Sequence, residues 1–226
     1  MPLLSFNEAR ALGVLIEKAQ TTPDLVPLTL NSCVLGCNQS SNRYPVVYLG
    51  ESEVEASLEA LMQKKLAVRI HGIGARTVKY NHIVEMTWGL KREAICLLSI
   101  LLLRGDQTPG DLSTRSKRSC PDLSLAGVLN ILEELSSGDR IFVQRLERQP
   151  GQKEARWRCC LTEASEQKKS EIKPSIESSD REESTMSGET TLREEFLQMR
   201  EELQFLRDEV QTLSLELKDL KSQLNG

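Results

Sequence analysis

Between residues 5 and 20 the apolar positions recur with helical spacing, placing Leu12, Leu15, Ile16 and Ala19 on one face. Ser5 with Glu8 supplies a capping-box start, and Gln20-Thr21-Thr22-Pro23 breaks the helix. Thr29 then caps a short second helix to about Cys37. A polar stretch ending at Pro45 leads to a third helix starting near Glu51 or Ser52, with Val54, Leu58, Leu61 and Met62 facing inward. Two short strands follow, about Leu66 to Ile70 and Thr77 to Tyr80, joined through His71-Gly72-Ile73-Gly74. Three helices and a glycine-tipped hairpin is the order of a winged helix-turn-helix.

That order recurs. A very apolar helix, about Lys91 to Leu103, ends at Arg104-Gly105, and Gln107-Thr108-Pro109-Gly110 opens a short helix to about Arg118. Leu125, Val128, Leu129, Leu132 and Leu135 mark a third helix, and Ile141 to Leu146 with Arg156 to Leu161 form a hairpin around Pro150-Gly151. Alternation puts Trp157, Cys159 and Leu161 on one strand face. The pattern predicts a mainly α fold with small β-hairpins, an α+β class of two tandem winged helix-turn-helix domains. The first covers residues 1–87 and the second residues 88–161.

Residues 162–189 are rich in Ser, Glu and Lys with almost no apolar content, which reads as a disordered linker. From 190 to 226 a heptad repeat runs through Leu192, Phe196, Met199, Leu203, Leu206, Val210, Leu213, Leu217, Leu220 and Leu224. Glu195, Glu202 and Glu216 at g positions meet Arg200, Arg207 and Lys221 at e positions of a parallel neighbour. Each exposed charge pair contributes roughly 0.2–0.5 kcal/mol against about 1.5–3 for each buried Leu, so the seam drives association and the charges select orientation. A parallel homo-oligomeric coiled coil is expected, a dimer ahead of a trimer, because Leu at both a and d leaves the strand number open.

Charge refines this picture. Residues 1–90 balance eight cations against eight carboxylates, residues 91–161 carry twelve against nine, and residues 162–226 carry nine against sixteen, within a net charge of −4. A mildly basic middle is therefore followed by an acidic tail. The longest apolar run, Ile95 to Leu103 interrupted by Ser99, is about half the ~18 residues a membrane span needs, so a soluble, cytoplasmic protein without a membrane partner is expected. Six cysteines without paired CxxC spacing and only two histidines predict reduced core thiols and no metal site. There is no Walker loop, HExxH or GxSxG, and neither His71 nor His82 has a sequence-evident nucleophile, so no catalytic residue and no cofactor are expected. Arg158 beside Cys159 and Cys160 could favour a thiolate, but strand alternation makes Cys159 a core residue.

The two third helices argue against major-groove reading. Glu51, Glu53, Glu55 and Glu59 precede Lys64 and Lys65 in the first, and the second offers Asn130, Glu133 and Glu134 with no Lys or Arg. Basic side chains gather elsewhere: Arg76 and Lys79 near the first wing, Arg115, Lys117 and Arg118 after the short helix, and Arg145, Arg148, Lys153, Arg156 and Arg158 on the second hairpin. On one face they would form a phosphate-binding surface of little base selectivity; otherwise they are solvated charges. Asn38, Gln39, Asn42 and Arg43 are side chains suited to base edges, and equally to locking an irregular loop onto its own backbone. Thr108-Pro109-Gly110-Asp111 reads as a capped helix start rather than an anion site.

Two stretches, Glu17-Lys18-Ala19-Gln20-Thr21-Thr22-Pro23 continuing to Cys37-Asn38-Gln39-Ser40-Ser41-Asn42-Arg43, and Leu101-Leu102-Leu103-Arg104-Gly105-Asp106-Gln107-Thr108-Pro109-Gly110, resemble the YceH family of bacterial proteins. Lys79-Tyr80-Asn81-His82 and Pro150-Gly151-Gln152-Lys153-Glu154-Ala155-Arg156 extend the resemblance over roughly residues 5 to 161. It implies a bacterial source and a tandem winged-helix fold, and it supplies no activity. The leading expectation is a non-enzymatic, self-associating protein that associates weakly and with little selectivity with double-stranded DNA, in a regulatory role. The rival is an adaptor whose winged helices bind a protein partner.

Overall fold

In a computed structural model of the chain, the described residues are 3–162 apart from 72–76, 139, 149–150 and 153. They form seven α-helices, a 3-10 turn and two small antiparallel sheets. The elements are α1 Phe6–Thr21, the 3-10 turn Pro23–Leu25, β1 Leu28–Thr29, α2 Leu30–Cys37, α3 Glu51–Gln63, β2 Ala67–Ile70, β3 Lys79–His82, α4 Val84–Trp88, α5 Arg92–Arg104, α6 Pro109–Ser116, α7 Leu125–Ser136, β4 Val143–Arg145 and β5 Trp157–Cys159. The chain divides into two units, Met1–Lys168 and Lys169–Gly226. The linker and heptad expected over residues 162–226 lie outside the described residues, apart from Thr162.

The helix starts follow local chemistry. Ser5 Oγ accepts from the Glu8 amide while Glu8 Oε2 accepts from the Ser5 amide, closing a capping box on α1. Thr108 with Asp111 repeats the box on α6, while the Thr29 and Ser124 hydroxyls alone accept from the Ser32 and Gly127 amides at the starts of α2 and α7. Helix α6 stops at Ser116, before the expected Arg118, where the Ser119 and Cys120 amides both turn back to the Ser116 carbonyl, at 2.9 and 2.7 Å; Lys117 Nζ donates to the carbonyls of Pro121 and Leu123, both at 3.0 Å.

Helix α5 carries the longest apolar run and is buried at ten consecutive positions, Ala94 to Leu103. An all-round apolar helix is stable only when neighbours cover every side; here α1, α6, α7 and β5 do so. Its one interior hydroxyl, Ser99, donates to the Cys96 carbonyl at 2.8 Å. Glycines permit the closest approaches. A Cβ at Gly13 on α1 would stand 2.8 Å from Leu103 Cγ, and one at Gly36 on α2 would stand 2.5 Å from Val14 Cγ1. The buried apolar residues of both halves join in one cluster. At its edge the Leu4 amide donates to the Leu161 carbonyl at 2.7 Å, in a parallel bridge that sets Leu4 beside Thr162.

Three details depart from the sequence pattern. Strand β3 begins two residues later than Thr77, with Ala67 opposite His82 and Ile70 opposite Lys79, a register that buries Tyr80 and His82. Strand β1 pairs Leu28 with Tyr80, and two residues between Pro27 and the first turn of α2 are too few to show alternation. Helix α4 is likewise too short for a helical period, and its Trp88 ring meets Phe142 edge-on at 5.6 Å.

Candidate functional site

The polar segment after α2 is built around Arg43. Its side chain is fully buried. Nε donates to the Gly36 carbonyl at 3.0 Å, Nη1 to Glu17 Oε1 at 3.1 Å and the Asn42 carbonyl at 3.0 Å, and Nη2 to Glu17 Oε2 at 2.6 Å and Gln39 Oε1 at 2.7 Å. A guanidinium fork against a carboxylate is the strong, directional form of an ion pair. Asn38 spans the same loop: Nδ2 donates to the Leu49 carbonyl at 2.9 Å and Oδ1 accepts from the Leu49 amide at 2.8 Å. Asn42 holds a left-handed backbone, φ 62°, which asparagine tolerates better than most residues, and its Oδ1 accepts from Arg104. Asn38, Gln39, Asn42 and Arg43 are thus brought together, with each side chain bonded inside the protein.

Arg10 lies beside them, 1% exposed, donating to the carbonyls of Cys37 at 3.0 Å and Pro45 at 2.6 Å. Burial, then the neighbouring Arg43 charge, lowers its pKa from the ordinary arginine value. The Cys37 thiol is pushed up to about 11 by burial, which outweighs the pull of the two guanidiniums. Sequence reasoning missed Arg10, because a lone arginine on an apolar helix face carries no sign of being buried.

A second polar cluster joins the turn after α5 to the last strand. Arg158 grips Asp106 with both arms, at 2.9 and 2.7 Å, and Arg156 donates to the Asp106 carbonyl at 2.9 Å. The hydrogen bond to Asp106 raises the Arg158 pKa. Backbone bonds between Gln107 and Trp157 complete the junction. A cleft of about 400 Å³ opens here, lined by Thr108, Gly110, Asp111, Gln152, Glu154 and Arg156. The carboxylates of Asp111 and Glu154 at the α6 N-terminus oppose an anion, consistent with a capping role for Thr108 and Asp111.

The remaining candidate cations are exposed. Arg115 lies 3.8 Å from Asp111, and Lys117 is spent on carbonyls. Lys79, Arg118, Arg145 and Arg148 have no carboxylate partner among the described residues. Arg76 and Lys153 lie outside the described residues, as do Leu192, Phe196, Met199, Leu203, Leu206, Val210, Leu213, Leu217, Leu220 and Leu224. The cations stand on separate elements: β3, the end of α6, and the β4–β5 hairpin. Against them, α3 turns Glu51, Glu53, Glu55 and Glu59 outward, and α7 exposes Leu125 and Leu129 beside Glu133 and Glu134.

Five of the six thiols are buried. Burial pushes Cys33, Cys96 and Cys159 up to about 12 and also raises Cys160, while the neighbouring Arg158 is turned to Asp106. Such thiols are poor nucleophiles at neutral pH. No helix among the described residues is long and apolar enough to cross a membrane.

Comparison with known proteins places these features in a family. Residues 4–152 match the family model described as "Protein of unknown function, DUF480". A UPF0502 protein of Pelobacter propionicus is 46% identical over 155 residues, covering 69% of this chain and 70% of that one. Relatives of the same description occur in Shewanella pealeana, 43% identical with 71% and 76% covered, and in Geobacter sulfurreducens, 45% identical with 69% and 70% covered. The extent of these matches, together with the YceH-like motifs that meet at Arg43 and Asp106, establishes that the chain belongs to the DUF480 (UPF0502) family.

Proposed function

We propose that this chain is a cytoplasmic, non-enzymatic protein that self-associates through a C-terminal parallel coiled coil and uses two tandem winged helix-turn-helix units to bind protein partners. The element order α1, α2, α3 with the β2–β3 hairpin, repeated as α5, α6, α7 with the β4–β5 hairpin, supports the winged-helix reading. The heptad pattern supports the oligomer.

The observation that carries the choice of partner is the outward face of α3, the element a winged helix places in the major groove. It presents Glu51, Glu53, Glu55 and Glu59. A carboxylate brought within about 4 Å of a phosphate oxygen costs roughly 1 kcal/mol in bulk water and about 4 near a protein surface. Lys64 offsets little of this, because it is bonded to Glu8 at 2.5 Å and to the Leu3 carbonyl at 2.8 Å; Arg69 reaches Glu59 at 3.4 Å and Lys65 is exposed, which leaves Glu51, Glu53 and Glu55 without a cation partner among the described residues. A basic protein surface meets this face without that cost.

Contact with duplex phosphates is the second reading, favoured by the exposed and uncompensated Lys79, Arg118, Arg145 and Arg148. A duplex titration of the full chain at about 50 and 200 mM salt separates the two, since phosphate contacts weaken steeply over that range. The adaptor reading expects no binding at the lower salt. Binding with a steep salt slope would transfer the function to the hairpin cations.

A further inference from the structure

Where the end of α4 and the first turn of α5 meet the C-terminal half of α7 and the turn into β4, a cleft of about 710 Å³ opens. Clefts that hold small ligands span roughly 300–1,000 Å³ and set a few polar groups around an apolar floor. The floor here is Trp88, Leu135 and Phe142, all buried, with the two rings edge to face. Leu90 and Ile131 line it as well and are only half-buried, so the cleft keeps apolar surface in contact with water. Covering that surface favours any ligand with an apolar body.

The rim decides what else the ligand carries. Each wall bears one charge of either sign: Lys91 and Glu93 on the α5 side, Glu134 and Arg140 on the α7 side. None of the four has an ion-pair partner among the described residues, within a wall or across the cleft. Arg140 Nη1 donates to the Thr87 carbonyl at 3.4 Å, which holds the guanidinium at the cleft edge. Opposite charges that border one cleft without meeting leave both signs to an incoming molecule, and no existing ion pair has to be broken.

We propose that this cleft binds a small zwitterion with an apolar side chain, of the class of the apolar α-amino acids and their short peptides. The side chain lies on the Trp88–Phe142 floor, the carboxylate meets Lys91 and Arg140, and the ammonium meets Glu93 and Glu134. A plain anion would face two unmatched carboxylates and a plain cation two unmatched cations, so charge complementarity selects a ligand that carries both. The site is separate from the α3 face and does not depend on which partner that face meets.

The test titrates the full-length chain with L-phenylalanine and with L-leucyl-L-phenylalanine and reads the fluorescence of Trp88; Trp157 does not line the cleft and supplies a constant background. A saturable change is expected, and the tighter of the two ligands identifies a free amino acid or a peptide as the source. Phenylpropanoate, which lacks the ammonium, and phenethylamine, which lacks the carboxylate, are each expected to bind about fivefold more weakly, the upper effect of an exposed ion pair. Lys91→Glu with Arg140→Glu is expected to abolish the response to L-phenylalanine and to leave that to phenethylamine intact. Both side chains are exposed, and an unchanged melting temperature verifies the fold of the double variant. No response to either zwitterion overturns the site. Equal affinity for L-phenylalanine and its two truncated analogues overturns the zwitterion, and an unaltered response to L-phenylalanine in the double variant overturns the cleft as its location.

Discussion

Arg43 offers the sharpest separation between a residue that reads DNA and one that holds a loop. Replacing it with alanine removes a side chain of 0% accessibility that makes hydrogen bonds to Gly36, Glu17, Gln39 and Asn42. Breaking a buried ion pair from one side costs about 3–5 kcal/mol, because the partner is left charged and unpaired. Glu17 keeps 23% of its side chain in water and so recovers some hydration, which puts the expected loss near the lower bound, about 3 kcal/mol. For a folded region of this size that corresponds to a fall in Tm of about 6–12 °C. Arg43→Lys keeps the charge and loses the fork, so it recovers only part of the loss. Urea titration followed by the fluorescence of Trp88 and Trp157, both buried, measures the change. A double-mutant cycle with Glu17→Gln isolates the pair. Arg43→Ala within about 0.5 kcal/mol of the parent, the scatter of ordinary surface substitutions, would refute the reasoning, above all if duplex affinity fell instead.

Reversing the α3 face with Glu51→Lys, Glu55→Lys and Glu59→Lys is expected to create duplex binding, with a salt slope steepened by roughly 0.9 per new phosphate contact. Fluorescence anisotropy at two salt concentrations reads it, and no gain would mean that shape rather than charge keeps this helix from a groove. His82 is buried with Nδ1 unbonded, and burial lowers its pKa despite Glu85 at 4.0 Å. Because the folded state resists the proton, stability is complete above the unfolded value of about 6.5 and falls as pH drops below it, by up to roughly 1.4 kcal/mol per pH unit. Denaturation midpoints between pH 5 and 7 should show this slope, and His82→Gln should flatten it. Gly36→Ala drives a methyl to 2.5 Å from Val14 Cγ1 and should cost about 1–3 kcal/mol by overpacking, less the ~1 kcal/mol gained in helix propensity. Adding Val14→Ala should remove the clash, so a double variant no more stable than Gly36→Ala alone would point to another cause.

The helices were legible because their signals are local. Ser5 with Glu8, Thr29, Thr108 and Ser124 each sit within three residues of the amide they cap, and α5 announces its burial by the apolar run it carries. The short elements were not. Helix α4 has five residues and β1 two, below the length at which either period can be counted. The β3 register turns on which of Thr77, Val78 or Tyr80 faces the core, and that is decided by its neighbours: Leu28 and Arg69 both stand opposite Tyr80, on either side of the strand.

The candidate site shows the same division between near and distant partners. Asn, Gln and Arg side chains suit base edges because they offer paired donors and acceptors, and those pairs serve a loop equally well. Composition could not decide between the two uses, since the deciding partners are remote: Glu17 is 26 residues from Arg43, Leu49 is 11 from Asn38, and Asp106 is 52 from Arg158. Motif content alone placed Glu17 and Arg43 in one resemblance and Arg104 and Asp106 in another. Folding joins the two, through the Tyr44 amide on the Leu103 carbonyl at 2.8 Å and Arg104 on Asn42. Much of the motif content that resembles the family is therefore committed to seating α2, the α2–α3 loop and β5 against the buried helix pair α1 and α5. What remains free to meet a partner is the α3 carboxylate face, the α7 leucines, the scattered cations and the exposed side chains of Val46 and Tyr48, and recognition has to be built from these.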